Sequence, residues 1–207
     1  MLKFVARNID MADKILLNNE IYHIDENSLP CLITYGEKAG GSQFSVTMIA
    51  DMFLRGSKIL FITAYPMAKD NFLQQIKGSE SKTAYITDVD QLNTDAQAII
   101  LESGNEELYL KSIEKLGDIK DRVVFIKNME VFSDAVFDSA LKLKKIILSG
   151  DIDRCSAKKR ISEKKYKTIV IFTEPEVSLP VKSPVLEKYT GYLWSDGKEG
   201  LVKVKME

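Results

Sequence analysis

The stretch Cys31-Leu-Ile-Thr-Tyr-Gly-Glu-Lys-Ala-Gly-Gly-Ser-Gln-Phe44 decides how the rest of the chain is read. It opens with a short apolar run of strand character and passes through glycines at Gly36, Gly40 and Gly41. Beyond them Phe44, Met48, Ile49, Met52 and Phe53 return every three or four positions, which places one apolar face on a helix, and Gly56 supplies its stop. A glycine-rich turn between strand and helix suits an anion: backbone N–H groups can approach a phosphate closely, and the helix N-terminus adds partial positive charge. The spacing from Gly36 to Gly41 matches the frame G-x-x-x-x-G-K-[ST]. The next two positions do not, because Ser42 stands in the lysine slot and Gln43 in the hydroxyl slot. The candidate ligand-binding residues are therefore Gly36, Lys38, Gly40, Gly41, Ser42 and Gln43, with Lys38 as the one side chain able to send an ammonium across the loop.

Outward from this loop, short β-rich runs alternate with amphipathic segments. Strands are expected at 31–35, 58–63, 83–87, 98–101, 122–126, 145–149 and 168–172. Several are continuous apolar runs, the pattern of parallel strands covered on both faces. Helices are expected over 67–77 and 105–116, and after Ser133, a candidate N-cap followed by Val136, Phe137 and Leu141. This alternation predicts an α/β fold with right-handed crossovers. After Pro175, Pro180 and Pro184, the segments 189–194 and 201–205 flank Ser195-Asp-Gly-Lys-Glu-Gly200 and read as an appended antiparallel hairpin. The 207 residues make one domain over 1–207, with a lead-in at 1–30 and the hairpin at 189–205.

Composition removes several enzyme classes. The chain has one His and two Cys, Cys31 and Cys155, far apart and without a C-x-x-C pair, so zinc sites find too few ligands. Any catalytic histidine would have to be His23, whose neighbours Tyr22 and Ile24 favour a structural role. A net charge of −1 excludes a globally basic nucleic-acid coat. No run approaches the length of a membrane helix, and Asp10 and Asp13 interrupt the start where a signal peptide needs apolar residues, so a cytoplasmic location with reduced thiols is expected.

Residues 32–43, followed by Met52-Phe-Leu-Arg-Gly-Ser-Lys-Ile-Leu-Phe-Ile-Thr63 and closed by Tyr192-Leu-Trp-Ser-Asp-Gly-Lys-Glu-Gly-Leu-Val-Lys-Val-Lys205, give a layout that resembles RecA-superfamily P-loop ATPases of the KaiC type. The resemblance spans most of residues 20–205 and implies a mostly parallel RecA-like sheet flanked by helices, an ATP site with magnesium, and edge-to-edge association. Its functional positions are depleted here. The acidic pair expected after the second strand is replaced by Ala64-Tyr65-Pro66. The nearest match to the magnesium-orienting carboxylate is Glu102 after Ile99-Ile-Leu101, while the run Val123–Ile126 continues into Lys127-Asn128, poor metal ligands. Phosphoryl transfer depends on positioning and on neutralising charge, and a site without the loop lysine, the magnesium hydroxyl and a water-activating carboxylate lacks three parts of that machinery.

One further segment stands out. Arg154 to Lys167 holds seven Lys or Arg and one Glu, so a local +6 is balanced by −7 elsewhere. Lys158, Lys159, Arg160, Lys164 and Lys165 are candidates for tracking a nucleic-acid backbone, although Tyr166 is the single aromatic platform. Three readings follow: a pseudo-ATPase acting as a binding or assembly partner, in a homo-oligomer or with another protein, with some nucleotide binding; an ATP-dependent enzyme using Lys38 and Glu102 in displaced roles; or a nucleic-acid-binding accessory protein. The depleted site favours the first. Asp151 and Asp153, at a strand end, read as turn-capping residues rather than metal ligands.

Overall fold

A computed structural model describes residues 13–92, 95–102, 104–117 and 121–206; the first twelve residues of the expected lead-in lie outside them. In chain order the elements are β1 (Lys14–Leu17), β2 (Glu20–Ile21), β3 (Cys31–Thr34), α1 (Gly41–Leu54), β4 (Lys58–Thr63), α2 (Pro66–Gln75), β5 (Thr83–Tyr85) and β6 (Ala98–Glu102). Then come α3 (Glu106–Gly117), β7 (Arg122–Lys127), α4 (Asp134–Ala140), β8 (Ile146–Gly150), α5 (Lys158–Glu163), β9 (Thr168–Ile171), β10 (Gly191–Ser195) and β11 (Lys198–Lys205). They form one eleven-stranded sheet in the order β2-β1-β11-β10-β9-β3-β8-β7-β4-β6-β5. From β9 to β5 every pairing is parallel, and from β9 outward to β2 every pairing is antiparallel.

The continuous apolar runs are explained by burial on both faces. In β4, Ile59 and Phe61 enter the core beneath α1 and α2, while Leu60 and Ile62 enter the second core with α3, α4 and α5. Alternate residues of one strand thus serve two separate cores. On the first face, Phe53, Phe72, Phe61 and Phe125 form an aromatic chain whose successive ring centroids are 5.8, 5.4 and 4.9 Å apart.

Helix α1 ends as its sequence dictates. Gly56, at φ 102°, follows the Arg55 cap, and Gly56 N–H and Ser57 N–H donate to the carbonyls of Phe53 (2.9 Å) and Met52 (3.0 Å). This is the paired closure that a glycine past a helix end permits. The closing hairpin is present but tighter than the hexapeptide suggests. Ser195 pairs with Lys198, leaving only Asp196-Gly197 as the turn, with Gly197 at φ 82°, a backbone that glycine takes without strain. An N-terminal hairpin, β1–β2 around Asn18-Asn19, adds to the same margin of the sheet. Ser133 does occupy the N-cap position of α4, but its hydroxyl donates to Glu106 on α3 and makes no capping bond.

Candidate functional site

The glycine loop lies outside the C-terminal end of β3, the place where ligands collect in open α/β sheets. Gly40, at φ 92°, adopts a backbone that only glycine takes without strain, and it turns the chain into α1. Phe44 N–H is the first to bond back into the helix, to Gly40 O at 3.1 Å, so the amides of Gly41, Ser42 and Gln43 have no partner within the helix. Gly36 N–H donates to Thr173 Oγ1 at 3.1 Å, tying the start of the loop to the end of β9. Above the loop is a cleft of about 260 Å³ lined by Tyr35, the loop residues 36–40, Ser42, Asn128, Glu130, Asp151 and Arg154. The ends of β3, β7 and β8 therefore converge on it.

Of the six loop residues read from the sequence, Gly36, Lys38, Gly40 and Ser42 line this cleft. Gly41 is needed for another reason: a Cβ there would fall 2.5–2.6 Å from the Cβ, Cγ and Cδ1 of Tyr35, whose ring is packed beneath the helix start. Gln43 faces away and donates from Nε2 to Asp13 at 2.8 Å. Ser45 Oγ donates to Ser42 O at 2.9 Å.

Glu102 is not brought to the loop. It ends β6, separated from β3 by β8, β7 and β4, and its carboxylate is 2.5 Å from Lys69 Nζ. That pair holds the Lys69 ammonium above its ordinary range, chiefly through the hydrogen bond to Glu102. His23 is likewise remote. Its Nδ1 lies 3.1 Å from both carboxylate oxygens of Asp51, which also accepts from Arg55 Nε at 3.0 Å. Asp51 is ten residues along α1 from Gly41, about 15 Å by helical rise. Both thiols are buried, and burial pushes Cys155 up to about 12 and Cys31 higher still.

The residue that sequence reasoning passed over is Lys127. It ends β7, is 0% exposed, and its ammonium donates to the hydroxyl of Tyr35. Tyr35 Oη in turn lies 3.4 Å from Ser149 Oγ on β8. Burial lowers the Lys127 ammonium to about 8, with only partial compensation from Glu130, and raises Tyr35 to about 12. A cation thus sits under the loop at the strand end where a carboxylate was sought.

Backbone strain gathers at the same place. Among the described residues five non-glycine positions have positive φ, and two of them, Asn18 and Asn19, are accounted for by their hairpin turn. The other three are Lys38 (56°) and Asn128 (60°), which line the cleft, and Tyr189 (63°), whose Cα would lie 3.2 Å from a Cβ on Gly40. Such conformations persist where the surroundings hold them and cluster at functional sites.

The basic segment is largely committed internally. Residues 158–163 form the short helix α5. Arg160 pairs with Asp138 and, at 3.0 Å, with Asp134. Lys164 Nζ donates to the carbonyls of Leu141 (2.7 Å) and Leu143 (3.3 Å), while Lys158, Lys159 and Lys165 remain exposed. Asp151 and Asp153 act as backbone acceptors, as their setting suggested. Asp151 accepts from Asp153 N–H at 3.1 Å, and Asp153 accepts from the amides of Glu176 (2.9 Å) and Val177 (3.1 Å). Asp153→Ala is expected to cost about 1–2 kcal/mol in urea unfolding and to open the 174–189 segment to limited proteolysis. An unchanged cleavage pattern would show that other contacts hold that segment.

No protein-family model matches the sequence, and no curated protein matches it. The fold does have solved counterparts. The genome packaging NTPase B204 of Sulfolobus turreted icosahedral virus 2, in complex with sulfate, superposes with a TM-score of 0.55 at 10% identity, over 84% of this chain and 94% of its own. A structure described as an ATPase gives 0.57 at 7% identity, over 86% and 79%. The cytoplasmic domain of EssC gives 0.55 at 12% identity, over 99% of this chain and 44% of its own. At these identities the likeness shows the fold alone, one that this chain shares with structures described as an NTPase and an ATPase. No helix among the described residues is long and apolar enough to cross a membrane.

Proposed function

We propose that this chain is a P-loop-fold protein of the RecA-like type that does not hydrolyse ATP, that keeps weak nucleotide binding at its glycine loop, and that works as a binding or assembly partner, in a homo-oligomer or with another protein. One observation carries the reading. The glycine loop borders an open cleft at the start of α1, while the groups that chemistry would require are engaged elsewhere or replaced. Glu102 is spent on Lys69, Gln43 on Asp13, and the end of β7 carries a buried ammonium. A general base must lie within hydrogen-bond reach of the attacking water. Of the carboxylates that border the cleft, Glu130 and Asp151 already accept backbone amides, and Glu37 stands exposed on the loop.

Two measurements test this. Phosphate release from ATP is expected to stay at the protein-free rate with and without magnesium, while isothermal titration with ATP gives a binding isotherm that Lys38→Ala weakens. Sustained turnover lost in both Lys38→Ala and Glu102→Gln would establish instead an active enzyme with displaced residues. For the partner role, purification from the native source should recover the chain with a co-eluting protein or as an oligomer. A chain that migrates alone as a monomer counts against it.

A further inference from the structure

The P-loop fold implies a magnesium ion beside the phosphates, and the residues around this loop do not fit one. The hydroxyl slot holds Gln43, bonded to Asp13; Ser45 donates to the backbone; Glu102 is three strands removed and ion-paired. Among the described residues no cluster of three or more His, Cys, Asp or Glu could hold a metal. What lies under the loop is positive already. Lys127 Nζ is bonded to Tyr35 Oη and sits 4.8 Å from the centroid of the Tyr35 ring, and that ring touches the helix start at Gly41.

An ammonium shut away from water is costly unless an anion or several hydrogen bonds compensate it. Among the described residues no carboxylate is within ion-pair distance of Lys127; Glu130 acts on it only at longer range. Glu130 and Asp151 bring negative charge to the far side of the cleft but are held as acceptors of the Asp151 and Asp153 amides at 3.1 Å each, and Glu37 is exposed. On the loop side the field is positive. It comes from the α1 terminus, from Lys38 and Arg154 at the rim, and from Lys127 below, whose hydrogen bond polarises the Tyr35 hydroxyl.

We infer that the cleft binds the phosphate chain of a nucleotide without a divalent cation, Lys127 supplying from beneath the loop the fixed positive charge that magnesium supplies in other loops of this fold. The inference rests on the nucleotide-binding reading and narrows it: the ligand is the free polyphosphate anion, and the metal is dispensable.

The test is isothermal titration of the full chain with ADP in EDTA and again in millimolar magnesium, followed by the same pair of titrations on Lys127→Met. The two wild-type affinities are expected to agree within about twofold, and Lys127→Met to lose about tenfold in both buffers, the effect of removing one fixed charge that acts on the cleft through Tyr35. Wild-type binding that requires magnesium overturns the inference and leaves nucleotide binding intact. Equal binding by wild type and Lys127→Met overturns the role given to Lys127. Absence of binding in either buffer overturns the nucleotide reading itself. A thermal melt of the variant separates lost binding from lost folding.

Discussion

Lys127→Met is expected to stabilise the ligand-free protein by about 2 kcal/mol at neutral pH. The folded-state ammonium titrates at about 8, against about 10.4 in an unfolded chain. That difference costs the native state about 3 kcal/mol wherever both forms are protonated. Removing the ammonium recovers this, less about 1 kcal/mol for the hydrogen bond that the buried Tyr35 hydroxyl loses. The sign follows from proton counting. Between pH 8 and 10.4 the unfolded chain holds the Lys127 proton and the folded chain has released it, so this group's penalty fades as pH rises. The wild-type deficit is therefore complete below pH 8 and gone above 10.4. Cys31 and Cys155, raised by burial, lower stability in the same alkaline range but do so in both proteins and cancel in the difference. Urea unfolding of the pair from pH 7 to 10 measures it. A constant offset across that range, or a less stable variant, would remove the buried charge from the account. A site residue that costs stability is the pattern expected where binding, not folding, retains a side chain.

Phe61→Ala is expected to lose about 3–5 kcal/mol, the largest effect of any substitution considered. Phe61 is fully buried near the middle of β4, between Phe72 of α2 and Phe125 of β7. Truncation removes its own burial and strands both neighbours beside a cavity that a sheet strand cannot close. Against a total of about 5–15 kcal/mol for an ordinary domain, that loss is severe. The denaturation midpoint should fall with little change in slope, because the surface exposed on unfolding is nearly the same. Phe61→Leu, which keeps most of the volume, should lose about 1 kcal/mol. A Phe61→Ala loss under about 1 kcal/mol would mean that the aromatic chain across α1, α2 and the sheet is not what joins those layers.

The parallel strands were legible because double-sided burial writes them as unbroken apolar runs; Lys58–Thr63 and Ala98–Leu101 need no partner to be recognised. Helix α1 was legible from its period and its closing glycine. The lead-in hairpin was not, since β2 has two residues and its turn, Asn18-Asn19, lacks the usual glycine. Helix α5 was hidden by charge: Ile161 is its one buried residue, and six residues show no period. The misplacement of Glu102 has a plain cause. Both β6 and β7 end an apolar run in a polar residue, and strand order, which decides which end lies near the loop, is not written in local pattern. Lys127 was visible as the end of Arg-Val-Val-Phe-Ile-Lys, but its meaning depends on Tyr35, ninety-two residues away in sequence and adjacent in space. A lysine closing a wholly buried strand was the available signal.

The sheet also bears on how this molecule could be joined to others. Its two margins are β2, Glu20–Ile21, and β5, Thr83–Tyr85, the shortest of its strands. Among the described residues, the ledge of unpaired amides and carbonyls at either border is only two or three residues long. A visiting chain would find too little backbone there to dock in register. Growth of fibres by adding strand to strand is thereby blunted at both ends. The association proposed for this chain would then rest on side chains of its helical faces or around the loop, a kind of contact that single substitutions can abolish and that sequence drift can readily retune.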